Sequence, residues 1–147
     1  MENLSIHEIV ERYIQLTHEV WKRGEALIRD EIGEVLTNDQ HYLLRYIYRQ
    51  KRCTPTELAA AFSVQKSAIT AIINRLVEKK LIKRTQDVDD RRVIYLTLTD
   101  QGEILYEKTE AKIFKLVESI ITKFDQQEIE SFLKMYGKLA EILKETQ

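Results

Sequence analysis

The hydrophobic period changes inside residues 54–98, and this change constrains the fold more than any other feature of the chain. Thr54-Pro55-Thr56-Glu57 is a capping box with proline at the first helical position, where its missing N–H costs nothing. Ser63-Val64 predicts a tight break after this short helix. A second helix is predicted from about Gln65 to Lys80, because apolar residues recur there at helical spacing. They are Ile69, Ile72, Ile73, Leu76 and Val77.

After this second helix the apolar residues alternate with polar ones. The segments Leu81–Thr85 and Val93–Leu98 predict the two strands of a β-hairpin, in which Ile94, Leu96 and Leu98 share one face. The connection between the strands is polar and strongly charged. The predicted order is a helix, a tight turn, a second helix and a hairpin with a basic tip. This order is a far more specific signal of DNA binding than any single element in it.

Long helices are predicted on both sides of this segment. Capping boxes at Ser5–Glu8 and Thr37–Gln40 start two of them, Thr99–Gly102 starts a third, and Asp125 caps the last. The apolar residues expected to face inward from the two C-terminal helices are Ile104, Leu105, Ile113, Leu116, Val117, Ile120 and Ile121, then Ile129, Phe132, Leu133, Tyr136, Leu139, Ile142 and Leu143. The terminal helices carry more apolar surface than one small domain can cover, which predicts a homodimer.

The net charge of the 147 residues is only −1, but the charge is unevenly distributed. Residues 49–93 contain 11 Lys and Arg against 5 Asp and Glu, whereas the flanks contain 12 and 19. A basic centre between acidic ends is expected when one lobe of a protein meets phosphates and the others do not. Surface charge also clusters without any partner, so the charge alone leaves a solvated surface as an equal alternative.

Other classes of protein are disfavoured. No apolar run approaches the ~18 residues that a membrane span needs, and Met1–Leu4 does not start a secretion signal, so we expect a cytoplasmic protein with no membrane partner. The single cysteine, Cys53, is interpreted as structural, with a redox role left open. His7, His18 and His41 are too widely spaced to predict a metal site. We expect neither an enzyme nor a bound cofactor, since no catalytic or cofactor-binding motif is present.

The front of the second predicted helix, opposite its apolar stripe, carries small, polar or basic side chains, as an element that enters the major groove of duplex DNA requires. Lys66 is expected to meet a phosphate or a guanine, and Asn74 an adenine or a phosphate, while Thr70 is expected to donate to either. The hairpin tip is expected to enter a minor groove through Arg91 and Arg92, with Asp90 paired to an arginine. The predicted DNA-binding residues are Gln65, Lys66, Ser67, Thr70, Ala71, Asn74, Arg75, Arg84, Asp90, Arg91 and Arg92. For any one of them, a solvated surface is the alternative.

The segment Asp87–Arg92, followed by Leu96–Gly102, resembles the wing signature of the MarR family of transcription regulators, in which Asp-x-Arg leads through a strand to Leu-x-Leu-Thr and a Gly. Leu58-Ala59 and the run Ala68–Ile82 also match, and the resemblance covers nearly the whole chain. It implies outer helices that form a dimer interface, a pseudopalindromic DNA partner, and release of that DNA when a small ligand binds or when the protein is oxidised.

Two positions depart from the family pattern. Lys80 stands where glycine usually ends the recognition helix, so this residue is either strained by about 1 kcal/mol or capped in another way. Val88 stands where proline is common, which predicts a more mobile wing. The family binds its ligands between the dimer helices and the DNA-binding lobe, so an aromatic pocket is suggested here, with a core role as the alternative. Its residues are Tyr13, Trp21, Tyr42 and Tyr46.

We therefore predict a mostly α fold with a small β-hairpin, a winged helix-turn-helix with long N- and C-terminal dimerisation helices. Residues 1–147 are expected to form a single domain, in which 1–35 and 99–147 are the dimerisation helices and 36–98 the winged lobe. The predicted function is sequence-specific DNA binding that regulates transcription, as a repressor released by a small-molecule inducer, from an inverted-repeat operator. The alternative is a protein–protein adaptor that keeps this scaffold without reading DNA.

Overall fold

The computed structural model describes residues 3–147. Met1 and Glu2 lie outside the described residues. The first residues of the predicted dimerisation region 1–35, and the start of the segment that we tested for a secretion signal, therefore also lie outside them. The elements, in chain order, are α1 (Ile6–Ile32), α2 (Asn38–Gln50), α3 (Pro55–Ala61), α4 (Lys66–Glu78), β1 (Ile82–Gln86), β2 (Ile94–Leu98), α5 (Asp100–Ile121) and α6 (Gln126–Thr146). The predicted winged helix-turn-helix is confirmed, with α3 and α4 as the helix pair and the antiparallel β1–β2 hairpin as the wing. Each helix within residues 3–147 is too short or too polar to span a bilayer.

Four helices start at capping boxes that are visible in the sequence. The side chains of Ser5, Thr37, Thr54 and Asp125 accept a hydrogen bond from the third helical N–H, and the Glu or Gln at that position bonds back to the cap. These bonds satisfy donors that the first turn of a helix leaves free. The local sequence therefore fixes where α1, α2, α3 and α6 begin.

Helices α3 and α4 end in the same way, on a residue in the left-handed region. Ser63 has φ 52° and Lys80 has φ 62°. The next N–H, of Val64 or Leu81, bonds to a carbonyl five residues back at 3.2 or 3.0 Å, which makes both ends Schellman motifs. Of the two alternatives given for Lys80, the structure therefore supports backbone strain, at a cost of about 1 kcal/mol.

The hairpin packs on the helices of the winged lobe through Leu96. Arg84 pairs with Leu96, which is fully buried. Cys53, in the loop after α2, joins the same strand: its N–H donates to the Leu96 carbonyl at 3.2 Å and its carbonyl accepts from Leu96 N–H at 2.7 Å. Burial raises the pKa of the Cys53 thiol to about 12, which keeps it protonated and supports a structural role.

The buried face of α5 differs from the predicted one. The expected inward position Ile104 is 68% exposed in the single chain, and Gly102, Tyr106 and Thr109 are buried instead. No residue of α6 is buried within the described chain, so its predicted inward stripe is wrong for the isolated protomer. The prediction assigned the more apolar face to the core, whereas α5 turns a face with a glycine and a threonine to the lobe. The chain divides into two compact units at Lys112 and Ile113.

A buried polar cluster attaches α5 to α2. The ring of His41 is 1% exposed, with Nδ1 at 3.0 Å from Thr109 Oγ1 and Nε2 at 2.9 Å from Glu110 Oε2. Glu110 also pairs with Arg45. Tyr106 stacks on the imidazole with the ring centroids 5.6 Å apart. Desolvation by burial lowers the pKa of His41, against the opposing effect of the Glu110 carboxylate, so the neutral ring is favoured near neutral pH.

This lowered pKa predicts that stability falls on acidification. The unfolded chain takes up a proton on His41 near its ordinary value of 6.5, whereas the folded chain takes it up only at lower pH. The contribution is therefore complete above about pH 6.5 and is lost as the pH falls through the lowered folded value. We expect His41→Gln, which cannot titrate, to lose less melting temperature than the wild type between about pH 8 and about pH 5.5.

His18→Gln is the matched control, because His18 is exposed on α1. It should leave the pH dependence of the wild type unchanged. Equal losses of melting temperature in the wild type and in His41→Gln would show that His41 is not the titrating group.

Candidate nucleic-acid interface

Helix α4 buries one face and exposes the other. Ile69, Ile73 and Leu76 pack into the lobe at 2% exposure or less. The predicted DNA-contacting residues of this helix and its cap are all exposed: Gln65, Lys66, Ser67, Thr70, Ala71, Asn74 and Arg75. Because small side chains stand between the polar ones, the backbone of α4 can approach a partner surface closely.

The N-terminus of α4 is built differently from the other helix starts of the described chain. Its cap residue, Gln65, makes no side-chain hydrogen bond to the helix, and its first turn carries no acidic residue. The other five helices each have an acidic residue in the first turn. Lys66 stands at the first helical position of α4 instead. Free N–H groups, the positive end of the helix dipole and a lysine together favour an anion such as a phosphate.

Two polar side chains on the front of α4 already have partners in the free protein. Thr70 Oγ1 donates to the Lys66 carbonyl at 2.8 Å, so its hydroxyl is left as an acceptor rather than the donor that we predicted. Asn74 Oδ1 accepts a hydrogen bond from Arg84 Nη2 at 2.6 Å. The structure therefore brings two predicted residues together, one from α4 and one from β1.

The wing loop is closed by hydrogen bonds around Asp90. The Asp90 carboxylate accepts from the backbone N–H of Arg92 at 3.0 Å and from its Nε and Nη2 at 3.1 and 3.3 Å, which is the predicted pairing with an arginine. The side-chain hydrogen bond from Arg92, followed by its backbone hydrogen bond, holds the pKa of Asp90 below its usual range. Asp90 N–H in turn donates to Asp87 Oδ2 at 3.1 Å. Arg91 and Arg92 are both exposed.

Two further basic residues have places that the sequence did not indicate. Lys79, at the end of α4, donates from Nζ to Gln40 Oε1 at 3.0 Å and to the Val35 carbonyl at 3.3 Å. Arg52 lies over the ring of Tyr95, with its guanidinium carbon 4.1 Å from the ring centroid. Each of these contacts joins residues that are at least 39 positions apart, so no local pattern could have revealed them.

The four aromatic residues suggested for a ligand pocket lie on two helices, Tyr13 and Trp21 on α1, Tyr42 and Tyr46 on α2. Tyr46 packs edge-on against Phe62, with ring centroids 6.0 Å apart. None of the four lines the cavity of about 240 Å³ at the α1–α2 junction. That cavity is lined by Glu25, Arg29, Gly33, Leu36, Thr37, Asn38 and Asp39. The aromatic pocket stays a prediction.

Known proteins resemble this chain in sequence and in fold. Residues 36–94 match the MarR family. The HTH-type transcriptional repressor MdtR of Bacillus subtilis is 31% identical over 72% of this chain and 68% of its own length. The transcriptional regulator AdcR of Streptococcus pyogenes is 32% identical over 74% and 76%. A mutant of MarR from E. coli, in complex with operator DNA, superimposes with a TM-score of 0.79 over 92% of this chain and 99% of that one, at 22% identity.

The wing geometry predicts the sign of a charge-removing substitution. Asp90→Ala removes a negative charge from a basic surface, which by net charge alone would strengthen DNA binding. It also removes three hydrogen bonds that shape the loop and hold Arg92. We expect the structural effect to dominate, so that Asp90→Ala weakens binding to specific and random DNA without changing the preferred sequence, in titrations at several salt concentrations.

Asp89→Ala is the control, since it removes the same charge from the adjacent residue, which is exposed. It should bind DNA at least as tightly as the wild type. Tighter binding by Asp90→Ala to all sequences would overturn the proposed role of Asp90.

Proposed function

The chain belongs to the MarR family of DNA-binding transcription regulators, and we propose that it is a repressor that binds an inverted-repeat operator as a homodimer. It regulates transcription by placing α4 in the major groove, with the wing on the adjacent backbone and minor groove. In this proposal the protein works in the cytoplasm and catalyses no reaction. Its relatives MdtR and YetL, at 31% and 28% identity, are named as repressors, which supports repression over activation.

The observation that carries this proposal is the start of α4. A helix whose first turn lacks both a side-chain cap and an acidic residue leaves N–H donors unsatisfied, which is unfavourable unless water or a partner supplies acceptors. Lys66 and the helix dipole favour an anionic acceptor. The exposed front of α4 continues from this point, so that a phosphate held at the N-terminus would seat the front on base edges.

The exposed apolar faces support the homodimer. On α1, Ile14, Val20 and Trp21 are each more than half exposed. On α6, Leu133 and Tyr136 are also more than half exposed. Exposed apolar side chains grouped on a helix mark an interface, and a two-fold dimer would present two copies of α4 to major grooves about 34–36 Å apart.

Release by a small molecule is the remaining part of the proposal. The cavity at the α1–α2 junction is a candidate place for the inducer, because Asn38 Oδ1 is buried there without a partner among the described residues while Asn38 Nδ2 donates to the Glu25 carbonyl at 3.2 Å. A ligand donor would satisfy that oxygen. The cavity borders the helix that carries the exposed apolar face, so an occupant would act near the dimer helices.

One substitution at the α4 cap should have opposite effects on stability and DNA binding. Gln65→Asp supplies the missing cap, which should stabilise the folded chain by about 0.5–1 kcal/mol. The same carboxylate would occupy the N–H donors and repel a phosphate, so DNA affinity should fall by about 10-fold or more. Thermal unfolding and titration of the operator measure the two effects separately.

Gln127→Glu adds the same charge in the first turn of α6 and serves as the control for net charge. It should leave operator affinity within about twofold. Unchanged DNA binding by Gln65→Asp would remove the α4 N-terminus from the interface. Failure of the wild type to bind any duplex selectively would favour the adaptor alternative.

The homodimer is tested by a charge in the exposed face of α6. Leu133→Glu should yield monomers in light scattering at micromolar concentration, because the carboxylate would be buried in the interface. Affinity for the inverted repeat should then fall about 100-fold or more, to that for a single half-site, since the second half-site no longer adds to binding. Lys134→Glu, at the adjacent exposed position, should remain dimeric. A wild-type chain that is already monomeric would contradict the proposal.

A further inference from the structure

A hydrogen bond connects the wing strand to the front of the recognition helix. Arg84 Nη2 donates to Asn74 Oδ1 at 2.6 Å. Arg84 pairs with the buried Leu96 in the hairpin register, so the two side chains lie on the same face of the hairpin, the face that packs on the helices of the winged lobe. Both Arg84 and Asn74 are exposed, and the bond therefore lies at the surface that the proposed function assigns to DNA.

The chemistry of this pair fixes the orientation of the amide. A guanidinium has only donors, so the Asn74 atom that faces Arg84 must be the carbonyl oxygen. The NH2 group of Asn74 is then the end left for another partner. An unrestrained asparagine could turn either end toward a base, and Arg84 selects one of these two orientations.

Base edges in the major groove distinguish the two orientations. Asparagine selects adenine through a paired contact, in which its oxygen accepts from adenine N6 while its NH2 donates to N7. With the oxygen turned to Arg84, the contact with adenine is reduced to the one from NH2 to N7, and the adenine amino group is left without an acceptor. Guanine, with acceptors at N7 and O6, and thymine, with an acceptor at O4, accept such a donor without conflict.

We propose that Arg84 is a positioning residue that turns the NH2 group of Asn74 toward the base, so that each α4 selects guanine or thymine, rather than adenine, at the base that Asn74 meets. This inference rests on the proposed function. The hydroxyl of Thr70, one turn earlier, has its proton bound to the Lys66 carbonyl. The front of α4 thus presents an acceptor at Thr70 and a donor at Asn74, a pattern fixed before DNA arrives.

The test is selection of binding sites from a randomised duplex library by the wild type, Asn74→Ala and Arg84→Met. We expect the wild type to select guanine or thymine at one position of each half-site. Asn74→Ala should lose the preference at that position alone. Arg84→Met frees the amide to turn, so its selected sites should include adenine there. Placing adenine at that position should weaken the wild type about 10-fold or more and Arg84→Met by less than about threefold.

A phosphate contact by Arg84 makes a different prediction. In that case Arg84→Met would weaken specific and random DNA together and lower the salt slope by about one per contact, with the selected base unchanged. Arg91→Met is the matched control, because it removes the same charge from an exposed residue of the wing loop and leaves the Arg84–Asn74 bond in place. It should lower affinity and keep the wild-type preference. An unchanged preference in Arg84→Met overturns the inference.

A second variant keeps the test decisive if Arg84→Met is unstable in thermal unfolding. Asn74→Asp has acceptors only, one for Arg84 and one for a base amino group, so the selected base should change to cytosine or adenine. Selection of adenine by the wild type overturns the positioning role and leaves the proposed function intact. A wild type that selects no sequence at all overturns the proposed function and this inference with it.

Discussion

The winged lobe depends on one crossing of two backbone segments. Lys80 and Leu81, where α4 ends and the wing begins, cross Thr99–Gly102, where α5 starts. The Lys80 carbonyl accepts from Thr99 Oγ1 at 2.6 Å, and the Leu81 carbonyl accepts from Thr99 N–H at 3.0 Å. A Cβ at Gly102 would lie 1.9 Å from the Leu81 carbonyl oxygen, so only glycine permits this approach. The left-handed conformation of Lys80 turns the chain into the crossing. Its strain of about 1 kcal/mol is the cost of placing a lysine there.

This crossing means that the proposed DNA surface is held from several sides. Lys79, one residue before it, bonds to Gln40 Oε1, which also accepts from Thr37 N–H at 3.2 Å and so caps α2. The end of α4 is therefore tied to the start of α2. Further along, Arg84 ties the wing to the middle of α4 through Asn74. Within residues 3–147, the N-terminus of α4 has no side-chain cap, and that is the end at which a phosphate would complete the proposed surface.

What could be predicted from the sequence follows from the range of each interaction. The capping boxes at Ser5, Thr37 and Thr54 are local, with both partners three residues apart, and each one forms. The order of helices and the hairpin follow from hydrophobic period, and so does the front of α4. The orientation of the Asn74 amide does not, because it depends on Arg84, ten residues away in another element. The prediction of the inward face of α5 was wrong for the same reason. It chose the most apolar face, whereas the buried face contains Thr109, which hydrogen-bonds to His41, 68 residues away.

That bond also explains how a histidine can be buried in the lobe at small cost. Because an ionised carboxylate only accepts, the neutral ring carries its proton on Nε2 and donates to Glu110, and Nδ1 then accepts from the Thr109 hydroxyl. If the ring takes up a proton, Nδ1–H donates to Thr109, whose hydroxyl can turn to the Leu105 or Tyr106 carbonyl at 3.1 or 3.0 Å. Neither state leaves a polar atom without a partner. Protonation is therefore opposed by desolvation and not by a lost hydrogen bond, which is why burial is the largest influence on this pKa. The junction between α2 and α5 stays bonded in both states, and only its strength depends on pH.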